Sequence, residues 1–244
     1  QFICQQYGGT GAGATAGSLS VACGTDAAAT GVGSMAFGYK AIGAGNYSSA
    51  LGYFASASAS NASAFGANAK AEQGNATAAG NAAEAREVDS TAIGSTAKAT
   101  QINTTAVGAG ARAEGVNASA IGSSAASTGD FSTAVGRSAE ATGLNATSVG
   151  TTARAGGESS TAIGADARAT LLGATAAGFG SRATGENASA FGRSAIANQS
   201  LATAFGQDAQ ATGILATAAG SASRASANNA SAFGNASAAT AIGA

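Results

Sequence analysis

Histidine, proline and tryptophan are absent from this sequence of 244 residues, and it has only two cysteines and one methionine. Without histidine the chain lacks the usual general base and the commonest metal ligand, and no serine–histidine–aspartate triad can form. Without proline, every strand keeps its N–H groups for a neighbouring strand. Charge is scarce too: charged residues make up 9% of the chain and the net charge is −1, against about a quarter charged in ordinary domains. No run of lysine and arginine offers nucleic acid an electrostatic footprint. Disorder is excluded by the 45% hydrophobic content, because disordered chains are charged and poor in apolar surface. No stretch approaches the roughly 20 apolar residues needed to cross a bilayer, and no basic n-region precedes an apolar run. Direct membrane contact of this segment is not expected.

What the chain does have is glycine, 37 of them, in phase. Glycine recurs every fourteen residues, from Gly24, Gly38 and Gly52 through Gly220 and Gly234, sixteen times without insertion or deletion. The residues before it read Ala-Phe, Ala-Ile, Ala-Val or Ala-Ala, and only Ser148 breaks the alanine. Most units continue x-x-Ala-x-Ala, and asparagine is frequent before the next strand (Asn61, Asn75, Asn103, Asn117, Asn145, Asn187, Asn229). Such a period is the signature of a repeat architecture. Fourteen residues suit two strands of about five residues with two tight turns, where glycine supplies positive φ and asparagine tolerates the left-handed region. The fold class predicted is all-β: a parallel β-roll, or two-strand-per-coil β-solenoid. Residues 18–244 form the repeat and residues 1–17 an N-terminal cap. Coils about 4.8 Å apart would stack to a rod on the order of 70 Å.

The placement of charge predicts the faces. No charged residue occupies the four positions before any repeat glycine, so neither face of that first strand is expected to meet water freely. In the second strand the residue between the two alanines is Lys70, Glu84, Lys98, Arg112, Glu140, Arg154, Arg168, Arg182 or Arg224, so that strand is exposed on one side. Its cations Lys70, Lys98, Arg112, Arg154, Arg168, Arg182 and Arg224 are the candidate ligand-facing surface, with solubility as their plainer reading. A flat roll buries only one face of each strand. The first strand's other face therefore calls for a second copy of the chain, with Phe65, Ile93, Val107, Ile121, Val135, Ile163, Phe191, Phe205 and Phe233 as packing anchors of core or interface. Sequence alone does not say which of the two faces carries them.

No chemistry is expected. Gly31-Val32-Gly33-Ser34-Met35-Ala36 has dinucleotide-like glycine spacing but no helix to follow it. Asp26, Asp89, Asp130, Asp166 and Asp208 are scattered over different repeat positions, unlike calcium-binding turns. No cofactor or metal is assigned. The Asn-x-Ser/Thr triplets, Asn61-Ala62-Ser63 among them, coincide with turns and are read as turn chemistry. Cys4 and Cys23 lack metal or redox spacing and form a candidate disulfide, as a lone pair in an exported protein.

The unit Asn-x-Ser/Thr-Ala-Ile/Val/Phe-Gly-x-x-Ala-x-Ala-x-Gly, seen in Asn117–Ala125 and Ser160–Ala169, resembles the YadA-like head repeat of trimeric autotransporter adhesins. The resemblance covers about residues 18–244. It implies a left-handed β-roll, a homotrimer with its inner strands facing the threefold axis, and a non-enzymatic role in adhesion to host matrix proteins (collagen, fibronectin) or cell-surface receptors. It also implies extracellular display, with an outer-membrane anchor in the full-length protein. No heptad region or C-terminal barrel sequence is present, so a head fragment is expected. The family's usual Val two residues before the Ile is mostly Ser or Thr here, as at Thr91 and Ser119. The alternatives are an ice-binding solenoid and a passive fibre or spacer segment.

Overall fold

The computed structural model describes the backbone of residues 2–4 and the whole of residues 13–243. Each unit folds as one coil of a parallel β-solenoid. A strand of three residues ends just before the repeat glycine, as in Thr91–Ile93, and a strand of two follows the turn, as in Lys98–Ala99. Both are shorter than the five residues expected, because each turn takes up more of the unit. Neighbouring coils pair in register fourteen residues apart: Thr91 with Thr105, Ile93 with Val107, Lys98 with Arg112. There is no helix among the described residues.

Two compact units divide the chain, residues 1–124 and 125–244. Among the described residues of the first unit, nine first strands run from Phe2–Cys4 to Ser119–Ile121, and eight second strands from Thr15–Ala16 to Arg112–Ala113. In the second unit eight first strands run from Thr133–Val135 to Ser231–Phe233, and nine second strands from Ala126–Ser127 to Ala238–Ala239. Residues 1 and 5–12 of the expected cap lie outside the described residues. The described parts of residues 1–17 extend both ladders by one irregular coil: Phe2–Cys4 pairs with Val21–Cys23 and Thr15–Ala16 with Ala28–Ala29. That register sets Cys4 opposite Cys23, and Cys23 is disulfide-bonded.

The repeat glycine has two reasons to be glycine. At Gly178 φ is +135°, and a Cβ there would lie 2.4 Å from the carbonyl oxygen of Gly192 in the next coil. Both turns of each coil also hold a residue in the left-handed region. The seven asparagines singled out above adopt it, as at Asn75 with φ 59°, where a short polar side chain lowers the cost. Phe54, Thr96 and Leu215 adopt it as well, with φ 54°, 56° and 58°, although none of the three favours it. Coil stacking holds them there. The N–H of Phe54 donates to Tyr39 O at 2.9 Å, and that of Thr96 to Asn81 O at 2.8 Å.

The space between the two ladders is lined by alanine. In one coil Ala69, Ala71, Ala76 and Ala78 are all fully buried, and the other coils repeat the pattern. Where serine replaces alanine before the first strand, its hydroxyl mostly returns to the backbone: Ser90 donates to Glu87 O, Ser132 to Gly129 O and Ser160 to Gly157 O, at 2.5–2.6 Å, whereas Ser48 at the same position is buried without a partner. Ser148 sits one step further on, mid-strand between Ala134 and Ala162, and its buried hydroxyl has no partner. Ser148→Ala should therefore raise stability by about 1 kcal/mol, because it removes an unpaid desolvation penalty. A higher urea midpoint at unchanged slope is the expected reading.

Candidate interaction surfaces

Alternation along the first strand decides where the anchors point. Its middle alanine faces inward, so the residues on either side of it face out. Phe65, Ile93, Ile121, Ile163, Phe191, Phe205 and Phe233 are 37–70% exposed, and Val107 and Val135 are half-buried. None of the nine is enclosed by its own chain. Of the two faces that the sequence left open, the outer one therefore carries them, and the gap between the ladders is lined by small side chains, mainly alanine.

In each unit, then, the first ladder presents a column of large apolar side chains beside a half-buried column of serine and threonine. Phe191 and Phe205 pack ring to ring at 6.3 Å. Met35 replaces the usual serine or threonine, and an open hollow of about 310 Å³ forms there, lined by Met35, Phe37, Ser49, Ala50, Leu51 and Phe65. The sequence reading missed a second apolar column, in the turn that leads into the first strand. Val88, Ile102, Leu144, Leu172 and Ile214 recur eight residues after a repeat glycine and are 39–46% exposed. Tabulating that position down the repeat would have found it. Also missed was an aromatic cluster in the other turn: Tyr39 stacks on Tyr53 at 5.2 Å, Phe54 meets both edge-on, and the Lys40 ammonium lies 5.3 Å from the Tyr39 ring centre.

The second ladder carries the expected charge row on its outer side. Lys70, Arg112, Arg154, Arg168, Arg182 and Arg224 are exposed, and Lys98 is half-buried. The row is a ladder in backbone register, Lys70 against Glu84 and Glu84 against Lys98. Its ion pairs follow a different geometry. Glu84 Oε2 accepts from Arg86, two residues along its own coil, at 2.5 Å, and Arg112 lies 3.8 Å from Glu114 in the same way. Among the described residues only Arg154 reaches along the ladder, to Glu140 at 3.3 Å. All are exposed pairs of modest worth.

The asparagine turns also form ladders. Asn61 donates to Asn75 Oδ1 at 3.2 Å, Asn75 to Asp89 Oδ1 at 2.9 Å and Asn103 to Asn117 Oδ1 at 3.0 Å. The segment Gly31–Ser34, with its dinucleotide-like spacing, is a turn leading into the strand Met35–Phe37. Such surfaces present stacked columns of side chains suited to association and recognition.

Comparison with protein families gives matches to the YadA head domain repeat at residues 16–41, 44–69, 57–83, 85–111, 113–139, 141–167, 155–181, 172–195, 183–209 and 211–237. No curated protein matches the chain.

Proposed function

Since the chain belongs to the YadA head family, we propose that it is the head of a trimeric autotransporter adhesin and attaches a bacterium to host matrix proteins, such as collagen or fibronectin, or to cell-surface receptors. Three copies associate through the outer faces of their first ladders, in the left-handed β-roll of that family. The head is non-enzymatic, serves virulence, and is displayed outside the cell on a protein anchored in the outer membrane.

One observation carries the assembly: most coils turn a large apolar side chain outward, while the interior holds small side chains, mainly alanine with some serine. An apolar surface that recurs so regularly marks an interaction site. A core of alanine methyl groups is also thin, so association supplies stability that the lone chain lacks. The ice-binding alternative fits poorly. Thr91 and Thr105 stand beside Ile93 and Val107 on the same outward face, which roughens it, and the other ladder is charged. The test is adhesion of the folded chain to immobilised collagen and fibronectin and to epithelial cells. Saturable binding to any of these is expected, and failure on all of them would favour a passive spacer.

A further inference from the structure

The second ladder of residues 125–244 sets like charges on top of one another. Arg154 pairs in register with Arg168, and Arg168 with Arg182, so three guanidinium groups spring from strands about 4.8 Å apart. Like charges directly opposite each other destabilise a sheet. Glu140 relieves only the end of the row by taking Arg154, and no ion pair reaches Arg168 or Arg182 among the described residues.

Placement, and not composition, makes this strip positive. The unit holds six arginines and six acidic residues. Its outward positions on the second ladder, the fourth and sixth residues after each repeat glycine, carry four arginines (Arg154, Arg168, Arg182, Arg224) and a single acid, Glu140. Glu158, Glu186, Asp166 and Asp208 are all in the turns. Beside the arginines stand hydroxyl groups, Thr142 and Thr170 exposed and Thr184 half-buried, with Gly156 between the first two.

We propose that this strip binds a sulfated linear polysaccharide lying along the arginine column, with sulfate groups on the guanidinium forks and sugar hydroxyls on the threonines. Arginine presents paired donors that match oxyanions. Successive weak contacts on one chain add as multivalent binding. Other polyanions fit less well. Single-stranded nucleic acid needs rings to stack on, and no aromatic residue occupies the strip. An anionic bilayer needs apolar side chains to insert, and Ile196 is the only large one there. The proposal takes its setting, an exposed head meeting host glycans, from the adhesin reading above.

The test is binding of the whole chain to immobilised heparin across a salt series. Affinity should fall linearly on logarithmic axes as salt rises, through release of counterions. The double variant R168A/R182A should bind at least about tenfold more weakly while melting like the parent, and R193A, which removes a cation from a turn outside the strip, should bind unchanged. R168K/R182K should fall between, because lysine lacks the fork. Unchanged binding by R168A/R182A, equal binding to chemically desulfated heparin, or equal competition by duplex DNA would each overturn the proposal. Failure on heparin with adhesion to matrix proteins or cells retained would sink this inference alone. Failure on all of them would sink the adhesin reading with it.

Discussion

Gly178→Ala is expected to cost about 3 kcal/mol or more. The backbone there sits at φ +135°, a region essentially reserved for glycine that costs an L-residue about 1–3 kcal/mol. The new methyl group would also lie 2.4 Å from the Gly192 carbonyl oxygen. That oxygen belongs to the adjoining coil's backbone, which cannot retreat without breaking its own register. Gly234→Ala separates the two effects, since φ is +106° and no atom lies within 4 Å of its Cβ position. Only strain should be paid there. Stability in a stacked-repeat protein is a sum of coil and neighbour terms, so amide hydrogen exchange resolved by coil is the right measurement beside a urea melt. Equal losses in the two variants would show that the approach of neighbouring coils is not what fixes the glycine.

Ile93→Asp should break the assembly while leaving the single coil intact. In one chain Ile93 is 42% exposed, between Ala79 and Val107 on the ladder, so a lone solenoid would tolerate aspartate at little cost. Covered by another copy, the same position loses about 1.5–3 kcal/mol of apolar burial and must bury an unpaired carboxylate, at several kcal/mol more. The parent is expected to sediment as three chains and the variant as one. Arg154→Ala, which removes one exposed ion pair, should change stability by no more than about 0.5 kcal/mol and leave the mass unchanged. A parent that sediments as a stable single chain would refute the trimer, and equal tolerance of both substitutions would refute the assignment of faces.

The fold was largely legible because so few residue types occur and each has a fixed position. The in-phase glycines marked the coils, the asparagines marked one turn, and the charged residues between alanines marked the outward side of the second strand. All of these follow from local rules about φ and from the cost of burying charge. The candidate surfaces were legible only in part. The apolar anchors could be identified, but not the face they occupy, because Phe65 and Ala64 are adjacent and a shift of one residue exchanges inside for outside. The charge row could be read as a column, but not its pairing: Glu84 turns to Arg86 in its own coil and leaves its ladder neighbours Lys70 and Lys98.

By itself, then, the sequence determined a stack of parallel two-stranded coils with turns at set places, because the fourteen-residue period leaves no other way to bury so much alanine and keep every backbone group paired. The tertiary structure decided what stands where on the surface. It filled the interior with alanine and turned Ile93 and Phe191 outward, it held Phe54 and Thr96 in turns that their side chains would not choose, and it stacked Arg168 on Arg182. The physical reason is common to all three. Each depends on hydrogen bonds and contacts between coils fourteen residues apart, and those bonds override what any single residue prefers.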